Sequence, residues 1–540
     1  MDTTQAAPHR PELVFALVGP AGTRLTALAN ALKVRLSMFG YVSEDIHLSK
    51  LLVNYTGWAP QSDESEYGRI RHLQQMGDAF RRDLKNGAAL ALASIAAIRQ
   101  KRLDLTGNSN SPASARAYIL NQLKNPAEVE LLRSVYGSSF YLIAGHAPRS
   151  IRIRELSAHM AAKADQPGQG HLFESKAIEV IDIDQAQGGD LGQNTRGTYP
   201  LADFFVNLTP PAGEAGVNRF VDLLFGHPFH TPSPDEYAMY FASTVSLRSS
   251  DRSRQVGAAI VGGVTLHPTT NMVSNADVVA CGMNEVPRGG GGFYWDEASP
   301  DARDQWLERY NNEDRATAIK VSALTELIEK IRGRQWLAES VEESRANDLA
   351  RDLLTDLQGT QFMNIGEFGR QVHAEMAALI DAARRGVAVN GHTMYVTTFP
   401  CHNCAKHIIA AGLRSVVYLE PYPKSRADFL HGEELVLDPE DTKDHPNKVV
   451  FRSFTGLAPR QYRQLFSMSQ RGSKHGIPLV QWDQARLRLT PIYVSRNAPS
   501  SYLEAEREEL GRPQRVYKWD PRVIDNGAPG EAVTAEKPLP

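Results

Sequence analysis

Four side chains of the kinds used in metal binding and proton transfer fall into two short segments of the sequence. The first segment is His373-Ala-Glu375, and the second is Pro400-Cys401-His-Asn-Cys404. One imidazole and two thiolates suit Zn²⁺, and three protein ligands leave the fourth tetrahedral position of a catalytic zinc open. We therefore predict that His373, Cys401 and Cys404 bind zinc, and that Glu375 stays free to carry protons.

This set of groups predicts a hydrolytic reaction at an amino-bearing ring carbon. Zinc lowers the pKa of a bound water toward about 7, which supplies hydroxide at neutral pH. Glu375 would carry the proton to the ring nitrogen and then to the departing ammonia. The pattern H-x-E…P-C-x-x-C is the signature of zinc deaminases. A structural zinc site is the alternative, and it would need a fourth ligand, for which His402 and His407 lie nearby.

The elements around the motif must bring these side chains together. A helix is predicted from about 373 to 385, a strand over 394–398 and a second helix over 404–411. Cys401 and Cys404 are three residues apart at a helix start and therefore lie on one side of it. His373 and Glu375 are two apart, so both can serve one site only if their helix points end-on at the metal.

The segments that flank the motif resemble the cytidine and deoxycytidylate deaminase superfamily. The resemblance is carried by Gln255-Val-Gly-Ala-Ala-Ile260 followed by Gly282-Met-Asn-Glu-Val-Pro287, which look like the paired strands of deoxycytidylate deaminases. In that family the asparagine of a G-x-N sequence contacts the nucleotide sugar, and Asn284 occupies this position. The resemblance implies a zinc-dependent, cytidine deaminase-like α/β/α domain over residues 235–470.

The chain as a whole resembles two-domain bacterial anti-phage deoxycytidine nucleotide deaminases, in which a P-loop kinase-like domain precedes the deaminase. The phrases Leu247–Gly257, Glu367–His373 and Glu420–Arg426 carry this likeness. It implies that free dCTP, dCMP or both are converted to deoxyuridine nucleotides, which would deplete deoxycytidine nucleotides in a phage-infected cell. It also leaves room for a regulatory nucleotide at the first domain, an inhibitory RNA or protein, and a homo-oligomer.

A nucleotide substrate needs cationic side chains for its phosphates. Arg254, Arg370, Lys424 and Arg426 flank the motif strands and are the candidates, because arginine and lysine are the usual phosphate partners. A solvated surface charge or a structural ion pair is the alternative for each of them. Tyr422 follows a predicted strand and is a candidate to stack on the base, with ordinary core packing as its alternative.

The amino-terminal region predicts a parallel α/β sheet over residues 11–226. An apolar strand, Leu13–Val18, precedes Gly19-Pro-Ala-Gly22-Thr23-Arg24, and leucines then recur at helical spacing. Gly19, Gly22, Thr23 and Arg24 lie where a Walker A loop belongs, but the second glycine comes early and no Lys-Ser/Thr pair follows. A backbone anion site survives without the lysine, so we predict a nucleotide-sensing or architectural domain. A turn with no ligand is the alternative.

Several further elements complete the α/β prediction. Strands are expected at 117–120, 140–143, 178–182 and 204–207, and as a pair at 256–261 and 278–282. The proline-dense segment 226–234 is predicted to be a linker, 300–355 to be helix-rich, and 471–540 to be a C-terminal extension with a mobile tail.

Composition bounds the class of protein. The chain has 540 residues with a formal net charge of −3, which disfavours the alternative of a deaminase acting on polynucleotides. Three cysteines cannot form a disulfide framework, and the first residues lack an apolar signal segment, so we expect a cytoplasmic protein with no membrane association. Cys281 is expected in the core. A nucleotide-binding regulatory protein with a vestigial zinc site is a further alternative, which the intact ligand set disfavours.

Overall fold

A computed structural model gives the fold of this protein. It describes residues 10–56, 65–186, 191–209, 213–262, 265–266, 273–274, 277–296, 301–304, 315–337, 345–357, 360, 362, 369–421, 425–440, 445–467, 491 and 500–512.

Strands and helices alternate along most of the described chain, as the α/β prediction requires. The strands are β1 Leu13–Val18, β2 Val42–His47, β3 Arg116–Asn121, β4 Phe140–His146, β5 Phe204–Asn207, β6 Gly257–Gly262, β7 Thr265–Leu266, β8 Val273–Ser274, β9 Asp277–Met283, β10 Thr393–Thr398, β11 Ser415–Glu420, β12 Leu435–Leu437, β13 Val449–Ser453 and β14 Gly456–Leu457. The helices are α1 Leu25–Met38, α2 Leu48–Thr56, α3 Glu66–Leu84, α4 Ala89–Thr106, α5 Pro126–Tyr136, α6 Arg149–Lys163, α7 Glu174–Ala186, α8 Thr195–Thr198, α9 Glu214–Leu224, α10 Pro234–Ser246, α11 Arg315–Arg332, α12 Ala346–Asp356, α13 Ala374–Arg385, α14 His402–Ala410, α15 Ala427–His431, α16 Pro459–Phe466 and α17 Ser500–Gly511.

The chain divides into two compact units, one of residues 1–236 with 454–540 and one of residues 237–453. The sheet of the first unit has the order β14-β5-β4-β1-β3-β2, in which β1 to β5 are parallel. Every residue of β1 is buried, and the leucines predicted to lie on one helix face bury against it from α1. Apolar contact on both faces of the central strand holds this parallel sheet together.

One strand predicted for this unit is wrong. Residues 178–182 lie inside helix α7, whose apolar side chains Ala177, Val180 and Ile181 are buried together. They are spaced three and four residues apart, which places them on one helix face, whereas the short apolar run by itself also fits a strand.

The carboxyl-terminal residues depart from the predicted boundary at 470. Strand β14 pairs antiparallel with β5, so the described residues from 454 onward belong to the first unit. Within the predicted mobile tail, α17 is packed: Leu503 and Leu510 are buried, and the Glu506 carboxylate is fully buried against Arg99 and Arg102 of α4. The buried ion pairs show that residues 500–511 are a fixed part of this unit.

The second unit is built on a mixed sheet of order β12-β13-β11-β10-β6-β9. The predicted strand pair is present as antiparallel β6 and β9, and β10, β11, β13 and β12 run parallel to one another. Helix α13 lies close on this sheet, since a Cβ at Gly282 would come within 2.2 Å of the Ala378 amide nitrogen. The glycine is therefore needed to let helix and strand approach.

Helices α11 and α12 form a pair with its own small core of buried side chains, from Val321 to Leu354. They fall in the segment predicted to be helix-rich. Within the described parts of the chain, no helix is both long enough and apolar enough to cross a lipid bilayer.

Candidate zinc site and its surroundings

Two helix starts carry the predicted metal ligands. His373 is the N-cap residue of α13 and Cys401 is the N-cap residue of α14, while Cys404 lies in the first turn of α14. The Nδ1 atom of His373 is 3.4 Å from the Sγ atom of Cys401 and 3.4 Å from that of Cys404. The two helices thus present their N-terminal ends to one point, which is how residues 373 and 375 can serve a single site.

The spacing of these atoms fits a zinc ion. Zn–S distances of about 2.3 Å and Zn–N distances of about 2.0 Å in a tetrahedral site place nitrogen and sulfur roughly 3.5 Å apart. Both measured separations match this value, and all three ligand atoms lie within 4.8 Å of one another. His373, Cys401 and Cys404 could therefore hold a metal ion, and a fourth position would remain for a non-protein ligand.

The electrostatics of the cluster favour metal binding. A hydrogen bond from Cys404 is the main reason that the pKa of Cys401 is lowered to about 4, and His373 adds to the effect. The same bond is the main cause that raises the pKa of Cys404. The Cys401 thiolate in turn raises the pKa of His373 to about 9.

Glu375 is a buried carboxyl group in the first turn of α13, with only 4% of its surface exposed. Loss of water on burial, with a further contribution from the charge of Cys401, raises its pKa to about 7. A carboxyl group with a pKa near neutrality can take up a proton and release it again in one reaction cycle.

Asn284 lies at the end of β9 and is held by three hydrogen bonds. Its Oδ1 atom accepts from the Val256 amide at 2.8 Å, and its Nδ2 atom donates to Asp251 and to the Arg254 carbonyl, both at 2.9 Å. Sequence reasoning missed Asp251, although that residue lies inside one of the phrases that carry the family resemblance. Its two carboxylate oxygens organise the loop before β6.

The predicted phosphate ligands lie in different settings. Arg254 pairs with Glu420 at 2.8 Å, and its side chain remains 44% exposed. Arg370 donates to Asp304 at 2.7 Å and to the Ala302 carbonyl at 3.0 Å, so its guanidinium is already engaged. Tyr422 and Lys424 lie outside the described residues.

The glycine turn of the first unit is filled by its own chain. The Ala21 amide donates to the Asp184 carboxylate at 2.8 Å, and Lys124 pairs with the same carboxylate at 2.6 Å. Gly22 has a positive φ of 83°, and a Cβ there would lie 2.5 Å from the Arg152 carbonyl oxygen. Asp184, which sequence reasoning missed, thus accepts the hydrogen bond from a backbone amide that would otherwise be available to an anionic ligand.

The other predicted residues of this turn have few partners. The Arg24 side chain is 48% exposed and is 3.8 Å from Glu155, which is a weak surface ion pair. The buried Thr23 Oγ1 atom has no hydrogen-bond partner among the described residues.

Two further features complete the inventory of reactive groups. Among the described residues, Asp222, His227 and His230 form a second group whose ligand atoms are close, but Arg35 already bonds the Asp222 carboxylate and the Phe229 amide donates to His227 Nδ1. Cys281, expected in the core, is only partly buried in β9, and burial raises its pKa to about 11.

Comparison with known proteins agrees with the geometry of the second unit. Residues 232–420 match the family model of the cytidine and deoxycytidylate deaminase zinc-binding region. The deoxycytidylate deaminase of Enterobacteria phage T2 is 46% identical over 56 residues, which are 10% of this chain and 30% of that protein. ComE operon protein 2 of Bacillus subtilis is 45% identical over 53 residues, which are 10% of this chain and 28% of that protein.

The chain thus spans less than a third of the length of these two relatives. A solved dCMP deaminase from the cyanophage S-TIM5 is 16% identical, covers 41% of this chain and 99% of its own, and has a TM-score of 0.20. A similarity at that level does not identify a fold. The family model and the three convergent ligands point to the same part of the chain: residues 232–420 match a cytidine and deoxycytidylate deaminase zinc-binding region, and His373, Cys401 and Cys404 lie within the match.

Proposed function

We propose that this protein deaminates free deoxycytidine nucleotides, dCMP or dCTP or both, to the corresponding deoxyuridine nucleotides by zinc-dependent hydrolysis. The observation that carries the proposal is the convergence of His373, Cys401 and Cys404, with 3.4 Å from nitrogen to each sulfur, beside the buried carboxyl group of Glu375. The zinc-binding family match over the same residues supports it.

The reaction balances with the groups at the site. When bound, zinc would activate a water molecule for attack on the ring carbon that bears the amino group. The water oxygen bonds to that carbon, and the carbon–nitrogen bond to the amino group breaks. Glu375 takes up the two protons of the water in turn, giving the first to the ring nitrogen and the second to the amino group as it leaves as ammonia. Its pKa of about 7 allows it to act in both directions near neutral pH.

Asn284 and Arg254 are proposed to hold the sugar and a phosphate. Asn284 is fixed at the end of β9 by its three hydrogen bonds. Arg254 keeps an exposed guanidinium next to Glu420, so it can exchange this surface ion pair for a phosphate contact. Arg370 is a weaker candidate because Asp304 and the Ala302 carbonyl already bind it.

The wider proposal follows from the family resemblance. Depletion of deoxycytidine nucleotides would hinder phage DNA synthesis, and a homo-oligomer is the expected assembly. For the first unit we propose an architectural role rather than phosphoryl transfer, because Asp184 and Lys124 satisfy each other at the glycine turn.

A substrate panel tests the activity. Purified protein is incubated separately with dCMP, dCTP, CTP and single-stranded DNA, and each product is identified by mass. Conversion of dCMP or dCTP with no change in the DNA is the expected result. Deamination of the DNA in preference to the free nucleotides would replace the proposal with a polynucleotide deaminase.

A further inference from the structure

The amide of Asn284 has almost no hydrogen-bonding capacity left. Both protons of its Nδ2 atom are used, one on Asp251 Oδ2 and one on the Arg254 carbonyl. Its Oδ1 atom accepts from the Val256 amide and receives no second hydrogen bond from the part of the chain that the structure describes, which leaves one lone pair for a ligand. The side chain can therefore accept one more hydrogen bond but cannot donate any.

Asp251 accepts hydrogen bonds at both ends of its carboxylate. Its Oδ1 atom receives the Ser253 amide and hydroxyl, both at 2.7 Å, and its Oδ2 atom receives Asn284 Nδ2 at 2.9 Å. An asparagine at position 251 would have to point its own NH₂ group at donors on one side or the other. Only a carboxylate satisfies this arrangement.

This pair of residues lies beside the metal ligands. Glu285, the next residue after Asn284, exchanges two backbone hydrogen bonds with Val372, at 3.0 and 3.2 Å, and Val372 directly precedes His373. The Asp251–Asn284 pair is therefore joined through Glu285 to the segment that carries a predicted metal ligand.

We propose that Asp251 is a positioning residue that locks Asn284 as a hydrogen-bond acceptor, and that this lock makes the site select substrates whose sugar offers a hydroxyl donor. The inference rests on the proposed function. In dCMP or dCTP the 3′-hydroxyl is the one free hydroxyl of the sugar. It is therefore the group that would donate a hydrogen bond to the remaining lone pair of Asn284 Oδ1. A buried group held without alternatives discriminates well against an analogue that lacks the matching hydroxyl.

The test is a cycle of two proteins and two substrates. Wild-type protein and Asp251→Asn are each assayed with dCMP and with its 2′,3′-dideoxy analogue, and kcat/KM is measured for all four pairs. We expect wild type to prefer dCMP and the preference to fall about five- to ten-fold in Asp251→Asn, the factor for one lost hydrogen bond. Zinc content should stay unchanged. Asp277→Asn, at the exposed start of β9, is the matched control and should keep the wild-type preference.

Each outcome of this cycle is decisive. A variant that loses activity equally on both substrates, or a wild type with no preference, overturns the positioning role. Should Asp251→Asn fail to fold, Asn284→Ala must abolish the same preference. The dissociation constants of both nucleotides, measured by calorimetry, separate the two proposals. Wild type that binds dCMP or dCTP more tightly than the matching dideoxy analogue but converts neither refutes the deamination, and the lock then stands if Asp251→Asn removes the binding preference. Binding of none of these nucleotides refutes both proposals.

Discussion

Each unit of this protein has loops that lead into helix starts, and the loops of the two units differ in what their polar groups do. In the second unit, His373, Cys401 and Cys404 turn their ligand atoms toward a common point at the starts of α13 and α14. In the first unit, the Ala21 amide in the turn before α1 donates a hydrogen bond to the Asp184 carboxylate. Lys124 forms an ion pair with the same carboxylate. A sequence motif therefore indicates a ligand site only when its polar groups are not already hydrogen-bonded to other side chains of the protein.

The largest expected effect in this comparison is loss of the metal. Cys401→Ser replaces a soft thiolate by a hydroxyl, which is a poor zinc ligand. We expect metal analysis to show zinc falling from about one ion per chain to almost none, and deamination to fall to background.

Cys281→Ser is the matched control for this substitution, because Cys281 lies in β9 and has no place in the ligand group. It should keep both zinc and activity. A Cys401→Ser protein with unchanged zinc content would contradict the ligand assignment.

Removal of the proposed proton carrier, Glu375, comes next. Glu375→Gln keeps the size of the side chain but cannot move protons, so we expect kcat to fall about 10²- to 10⁴-fold with zinc retained. Steady-state kinetics and metal analysis on the same sample measure both quantities. Glu329→Gln, on the exposed side of α11, should leave both unchanged. Full activity in Glu375→Gln would show that another group carries the proton.

The contrast between the two loops also explains what the sequence could predict. Ligand type and spacing were enough to place His373, Cys401, Cys404 and Glu375 at one site, because the chemistry of the residues is local to two short motifs. The parallel first sheet and the β6–β9 pair also followed from apolar runs. Strand 178–182 was wrong because a five-residue apolar run fits either a strand or one face of a helix.

Contacts between residues that are far apart along the chain could not be predicted from the sequence. Asp184 meets the glycine turn from 163 positions away, and Glu506 meets Arg99 from 407 positions away. No local pattern signals such contacts, since they depend on how whole elements pack. The same holds for Asp251, which accepts a hydrogen bond from Asn284, 33 positions away.

A third prediction concerns the buried ions of the first unit. Arg102 is fully buried and binds Glu12 at 2.9 Å and Glu506 at 2.8 Å. Arg102→Met leaves these carboxylates buried without a full partner, and we expect the free energy of unfolding to fall by about 3–5 kcal/mol. Denaturant titration followed by circular dichroism measures the change. Zinc content should not alter, and a variant as stable as wild type would mean that α17 does not depend on this cluster.

The smallest effects are expected at the glycine turn. Asp184→Asn removes the charge that neutralises Lys124, and we expect a loss of about 1–3 kcal/mol of stability. Arg24→Ala removes only an exposed, weak ion pair and should change stability by less than about 1 kcal/mol. Thermal unfolding of the two variants side by side measures the difference. Equal stability of both would show that the carboxylate does not hold the turn.

The most direct test of the central claim is deamination in water enriched in oxygen-18. If the site between α13 and α14 hydrolyses the amino group of dCMP, each turnover should place one labelled oxygen on the uracil ring and release one ammonia. Mass spectrometry of the dUMP formed by wild type should show this label, and Glu375→Gln should give almost no labelled product in the same time. Unlabelled dUMP, or labelled product formed equally fast by Glu375→Gln, would contradict the account.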